Sequence, residues 1–218
     1  MQKREETRPA RRRASIGARR SPEAEAAILK AARELLNEKG YAGFSFDEVA
    51  RRAGAGKPTI YRWWPTKADL FIDVYAADKA AAMPLPATGD LARDLTVYTR
   101  NLWRFWRETP SGSTFRALIA EAQTSTAALD ALRTRFLSDR TLQLRRMFER
   151  AAERGEIQTD RIDDLIILYV GFNWLRLLTG RLEDKGLIER ISPLIAAAGS
   201  TPLASRHRAA RKERAGGG

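Results

Sequence analysis

The residues best equipped for chemistry lie around two prolines, in the run Lys57-Pro58-Thr59-Ile60-Tyr61-Arg62-Trp63-Trp64-Pro65-Thr66-Lys67. On a helix beginning at Pro58, Ile60 and Trp64 share one side at i, i+4. Arg62 then points almost directly away from them, with Pro58 and Thr59 beside it, and Tyr61 and Trp63 flank the two edges. The outer face offers a guanidinium, a hydroxyl and two aromatic edges. Such groups bond phosphates, read guanine bidentately and touch thymine methyls. The chemistry expected of them is recognition of a DNA duplex.

Other chemistry finds little support. The chain of 218 residues has no cysteine, which excludes a disulfide framework, a thiolate zinc site and a cysteine nucleophile together. Its one histidine, His207, falls in a polar, basic tail. No metal-ligand spacing occurs, and no nucleophile has a base near it. The pair Asp163-Asp164 reads as solvated surface or a helix start. Gly56-Lys57-Pro58-Thr59 has a superficial likeness to a phosphate-binding loop. That pattern needs Gly at position 51 and Ser or Thr at 58, where the chain has Arg51 and Pro58. The expectation is a protein that is not an enzyme and uses no cofactor and no metal.

The elements around the run are sharply punctuated. Ser21-Pro22-Glu23 is a helix start, with Ser as N-cap and Pro in the first turn. An apolar stripe follows (Ala24, Ile28, Ala31, Ala32, Leu35, Leu36), and Lys39-Gly40 ends it, with Gly expected in the left-handed conformation. Tyr41 and Phe44 then cap the core. Ser45 with Glu48 forms a capping box for a helix whose Phe46, Val49, Ala50 and Ala53 share one face and which stops at Gly54. Two short helices joined by a turn containing Gly make a helix-turn-helix unit. Pro65 ends the second helix, and Thr66 with Asp69 caps the next.

The rest of the chain also reads as helical, with no segment alternating at period two. Helices are expected from Thr66 to about Ala82, from Asp90 to Thr109, from Ser113, from Thr126 to Arg154-Gly155, from Asp160 to Thr179, and over 187–198. Met83-Pro84-Leu85-Pro86 breaks the first of these. Tyr98, Trp103, Trp106, Phe115, Phe136 and Phe172 either line an apolar pocket between helices or simply fill the core. The segment over 162–177 is apolar on more than one face, as expected of a helix buried on both sides.

Charge supports the DNA reading. The net +12 is uneven: residues 1–67 carry 16 Lys and Arg against 8 Asp and Glu, residues 200–218 carry 5 against 1, and 68–199 balance at 18 each. Positive charge concentrated around the outer face is the footprint of a polyanion-binding module, although basic tails also keep proteins in solution. The N-terminus has no apolar run of a secretory signal, and no stretch approaches the ~20 apolar residues of a membrane span. A soluble, cytoplasmic protein is expected. The 31 Arg against 8 Lys suggest a GC-rich bacterial genome.

From Ser21 to about Phe71 the sequence resembles the N-terminal domain of TetR/AcrR-type transcriptional regulators. The resemblance is carried by the helix over 28–40, Tyr41 and Phe44 ahead of Ser45, Val49-Ala50, Gly54, and above all Thr59-Ile60-Tyr61 followed by Trp64, Lys67 and Leu70. Two consecutive tryptophans are unusual for the pattern. The resemblance implies an all-α fold, a three-helix DNA-binding domain followed by a larger helical domain, about nine helices in all. The expected divisions are a basic arm at 1–20, the helix-turn-helix domain at 21–67, an effector-binding and dimerisation domain at 68–199, and a basic tail at 200–218. It further implies that Lys57, Thr59, Tyr61, Arg62 and Trp63 meet the major groove of a palindromic operator or its phosphates. Lys67 would hold a phosphate where a helix dipole also favours an anion, and Ser45 would sit near the backbone at another helix start. The last two long helices would form a homodimer interface, and a small-molecule effector would bind the C-terminal domain and relieve repression. The alternative is a helical protein that binds DNA without sequence preference, or binds a partner, without effector control.

Overall fold

Helix boundaries largely follow the punctuation of the sequence. The computed structural model describes residues 21–183 and 185–200, without the side chains of 138–142 and 185. The expected basic arm at 1–20, and the tail from 201 with His207, lie outside the described residues. Among the described residues ten α-helices run in order: α1 Pro22–Lys39, α2 Phe46–Ala53, α3 Lys57–Trp63, α4 Lys67–Ala82, α5 Leu91–Glu108, α6 Ser111–Ala122, α7 Thr126–Ala131, α8 Ser138–Glu153, α9 Ile162–Leu178 and α10 Lys185–Ser200. The described residues include no strand, so the fold is all-α as expected.

Local differences from the sequence reading have identifiable causes. Gly40 ends α1 at φ +63°, ψ −173°, a positive-φ conformation but not the expected left-handed one, which Gly54 does adopt after α2. Only half of the Ser45 capping box forms. The Ser45 hydroxyl accepts from Glu48 N at 3.4 Å, while the Glu48 carboxylate turns instead to Arg51 and Arg52 at 2.7 to 2.9 Å. Two guanidiniums outcompete one backbone N–H for that carboxylate. Helix α6 begins at Ser111 rather than with Ser113 as its cap, and the Ser113 hydroxyl donates to Pro110 O at 3.0 Å. A Cβ at Gly112 would lie 2.1 Å from Trp106 O, so only glycine fits where the chain reverses from α5 to α6.

The helix expected from Thr126 to Arg154 is instead α7 and α8 joined by a π-helical segment, Leu132–Leu137, and its cap is Ser125, which accepts from Ala128 N at 3.2 Å. A π-helical stretch inside a helix relaxes the register by one residue and often occurs at functional sites. Helix α10 runs longer at both ends than the expected 187–198, with Pro193 inside it.

Three packed groups position what matters for function. Ile28, Ala32 and Leu35 of α1, Val49 of α2 and Ile60 of α3 are fully buried against one another. The Arg52 guanidinium of α2 bonds both oxygens of Glu38 on α1 at 2.7 and 2.8 Å, fixing their crossing. Helix α4 packs on α1 and also on α7 and the π-helical segment. Its Leu70, Phe71, Ile72, Val74 and Tyr75 are buried around much of its circumference. It belongs to both halves of the molecule. Helices α5, α6, α8 and α9 pack around an aromatic centre built on Tyr75, Phe115 and Phe136, with α10 laid against α5 and α9.

Candidate nucleic-acid interface

Helix α3 is short because its ends leave no choice. Gly56 caps it, Pro58 sits in its first turn, and Trp64 leaves helical geometry at φ −131°, ψ 97° ahead of Pro65. Ile60 and Trp64 are fully buried, which fixes the inner face. On the outer face Tyr61 is 53% exposed, with its ring edge-on to Phe46 of α2 at 4.9 Å. Arg62 is exposed and makes no ion pair among the described residues. Thr59 is half-buried beside it, and Lys57 at the helix start reaches Asp47 of α2 at 2.8 Å with both side chains largely exposed. Ser45, also exposed, sits at the start of α2. Lys57, Thr59, Tyr61 and Arg62 therefore share an accessible surface.

Trp63 does not join them. It is only 9% exposed and packs edge-on to Trp64 at 5.8 Å. The position i+3 from Ile60 belongs to the same stripe as i+4, and the turn of the chain at Trp64 closes over it. This corrects the expected place of Trp63 at the edge of the reading face. Lys67 stands at the start of α4, as expected. Its ammonium lies 3.2 Å from Glu121 of α6 and 4.5 Å from the centre of the Tyr41 ring.

A polar network behind α3 was not visible in the sequence. The Trp64 indole N–H donates to Asp73 Oδ2 at 2.7 Å. Asp69 Oδ2 accepts from the Thr66 N–H and hydroxyl at 3.0 and 2.7 Å, completing the expected capping box of α4. Arg135, in the π-helical segment, bonds Asp69 Oδ1 at 2.8 Å and Asp73 Oδ1 at 2.7 Å. One guanidinium thus ties together the two carboxylates that set the end of α3 and the start of α4. Acids at i, i+4 on α4 hinted at a shared partner; its identity, more than sixty residues away, had no local signal.

Next along the π-helical segment, Phe136 enters the aromatic centre, stacked on Phe115 at 4.4 Å. Of the six aromatics weighed for a pocket, Tyr98, Trp106, Phe115 and Phe136 surround one cavity, together with Tyr75, Lys79 and Trp174, which the sequence reading did not single out. Trp103 faces a separate cleft beside Arg100, Arg104 and Arg107, and Phe172 packs on it at 5.8 Å. The free space in the cavity is about 40 Å³, room for a water or two and far below the ~300 Å³ of a small ligand pocket.

Electrostatics around these groups follow from their partners. The Arg51 and Arg52 guanidiniums lower the Glu48 pKa to about 2. Burial, and then the neighbouring Glu121 carboxylate, push the Tyr41 hydroxyl above its ordinary value. Burial does the same to Tyr169, whose hydroxyl is 2.8 Å from that of Thr99. Among the described residues no acidic or histidine cluster could hold a metal ion, and no helix is long and apolar enough to cross a membrane.

The family profile described as bacterial regulatory proteins, tetR family, matches residues 28–74, over α1 to α4. A second, described as tetracyclin repressor-like, C-terminal domain, matches residues 85–195. The chain belongs to the TetR family. It is 35% identical over 153 residues to an uncharacterised helix-turn-helix-type regulator of Bacillus subtilis, YdeS, an alignment covering 70% of this chain and 77% of YdeS. It is 34% identical over 170 residues to the DNA-binding transcriptional repressor TetR of Mycobacteroides abscessus, covering 76% and 88%. The crystal structure of the TetR family regulator SCO0332 superposes with a TM-score of 0.72 at 30% identity, covering 83% of this chain and all of that one. The protein is thus a helix-turn-helix transcriptional regulator, not an enzyme, with an N-terminal DNA-binding domain and a C-terminal helical domain.

Proposed function

We propose that this TetR-family regulator acts in the cytoplasm as a homodimer on a palindromic operator and represses until a small molecule binds its C-terminal domain. The reading divides the chain into DNA-binding residues 21–67 and an effector and dimerisation region at 68–199. The observation that carries it is the accessible set Lys57, Thr59, Tyr61 and Arg62 on α3, with Arg62 left without an ion pair among the described residues. An unengaged guanidinium beside an exposed phenol is suited to a base edge, and Lys57 and the Ser45 hydroxyl to phosphates.

Dimerisation is supported by a second surface. Ile167, Leu168, Leu175 and Leu178 of α9 are 47 to 68% exposed, and Leu194 of α10 is 63% exposed. The α9 residues recur at helical spacing on the face opposite buried Leu165, Ile166, Tyr169 and Leu177. An apolar stripe of that kind fits a self-complementary interface, and two-fold symmetry would match a palindrome. Effector control is supported by the small aromatic cavity beside the π-helical segment: a ligand that enlarges it changes the surroundings of Arg135 and thereby of Asp69 and Asp73. Repression is the activity named for the relative of Mycobacteroides abscessus. Electrophoretic retention of the promoter beside the protein's own gene tests the reading. Binding should exceed that of random duplex and weaken steeply with salt; equal affinity for every promoter tried contradicts it.

A further inference from the structure

We propose that Glu121 is an internal competitor of the DNA backbone for Lys67, so that helix α6 sets the protein's affinity for DNA. The inference rests on the DNA-binding reading above and adds a regulator of it.

Lys67 is the first residue of α4, where the helix dipole disfavours a cation and an anion is needed nearby. Glu121 supplies that anion, with its Oε2 3.2 Å from the Lys67 ammonium, across the boundary between the two domains. The Tyr41 ring lies against the same ammonium, so Lys67 is held in a niche by α6 and the start of the α1–α2 loop. Both charged side chains are only about a third exposed, at 36% and 28%. A phosphate reaching Lys67 in this arrangement comes close to the Glu121 carboxylate and is repelled by it. With Glu121 in place the cation is neutralised from within; with Glu121 withdrawn it is available to DNA.

The test uses the full chain and a random-sequence duplex of fixed length, because phosphate contacts do not depend on sequence. Glu121→Gln keeps the shape and removes the charge. It should bind the random duplex roughly 3- to 10-fold more tightly and steepen the slope of log K against log salt by about 0.9, one added phosphate contact. Lys67→Gln should leave the slope nearly unchanged, because that cation is already neutralised in the wild-type chain, and in the Lys67→Gln background Glu121→Gln should no longer steepen it. A contact that serves only to hold the domains together predicts weaker binding for Glu121→Gln, or none of the dependence on Lys67, and either result overturns the proposal. Thermal unfolding of each variant identifies any loss that comes from misfolding, and Glu121→Ala then provides the second charge-removing variant. The ratio of operator to random-duplex affinity, measured alongside, tests the sequence-specific reading separately.

Discussion

The indole N–H of Trp64, the last large side chain of the recognition segment, donates to Asp73 of α4 at 2.7 Å. Asp73 in turn accepts from Arg135, so one carboxylate joins the end of α3 to the π-helical segment of the other domain. Trp64 is fully buried. Its ring fills the space under α3, and its single donor fixes which way that ring faces.

Trp64→Phe separates the two contributions. The phenyl ring retains most of the packing, while the lost hydrogen bond to a carboxylate should cost about 1.5–3 kcal/mol of stability. Trp64→Ala should cost about 3–5 kcal/mol through the cavity it leaves. If α3 is oriented by this bond, Trp64→Phe also loses operator affinity while chemical denaturation shows a folded protein. A Phe variant with native affinity would mean that packing alone orients α3.

Arg62→Ala probes the reading face itself. A bidentate contact to a base is worth about 1–3 kcal/mol of discrimination. Operator affinity should fall accordingly, and preference at one base pair of each half-site should relax, with unfolding temperature unchanged because Arg62 is exposed. Fluorescence anisotropy on the operator and on single-base variants provides both readings. Unchanged affinity and unchanged preference would place the reading face elsewhere on α3.

Leu175→Arg tests the α9 surface. Leu175 is 62% exposed, so an arginine there is accommodated without cost in a monomer. Across a two-fold interface it brings two like charges into an apolar patch. Sedimentation should show the dimer converted to monomer at micromolar concentration, with operator binding lost. A dimer that survives Leu175→Arg and Ile167→Glu alike would exclude this face.

Glu48 gives a pH signature. Its carboxyl, held near pKa 2 against an ordinary value of 4.5, is deprotonated in the folded chain where the unfolded chain has already bound the proton. Its contribution is therefore complete above pH 4.5 and is lost as the pH falls toward 2. Carbon-detected NMR titration should find the Glu48 carboxyl well below the other glutamates, and Arg52→Gln should raise it. A wild-type midpoint near 4.5 would show that the Arg51 and Arg52 contacts do not persist in solution.

What the sequence made legible was local. Ser21, Gly54 and Thr66 with Asp69 set helix ends through bonds to residues a few positions away, and Pro65 does so by lacking an N–H and restricting Trp64, and such chemistry can be read from spacing. The exposure of Tyr61 and Arg62 followed from the burial of Ile60 at the same helical period. Trp63 was misplaced because a seven-residue helix is steered by its ends as much as by its stripe. The Arg135 contacts to Asp69 and Asp73, and that of Glu121 to Lys67, were out of reach because they join residues 54 to 66 apart through tertiary packing. Whether Tyr98, Phe115 and Phe136 fill a core or line a pocket was equally beyond a periodicity, which both arrangements share. The geometry combines the two: a stack closed to about 40 Å³ that borders the segment holding α4.

The central claim is that α3 reads DNA sequence as part of a symmetric pair. Selection of bound duplexes from a random pool by the full-length protein tests it most directly. The account predicts enrichment of an inverted repeat, with the two half-sites spaced for recognition helices about one helical turn apart. Recovery of a pool with no enriched motif, at salt concentrations where the protein still binds DNA, would contradict it.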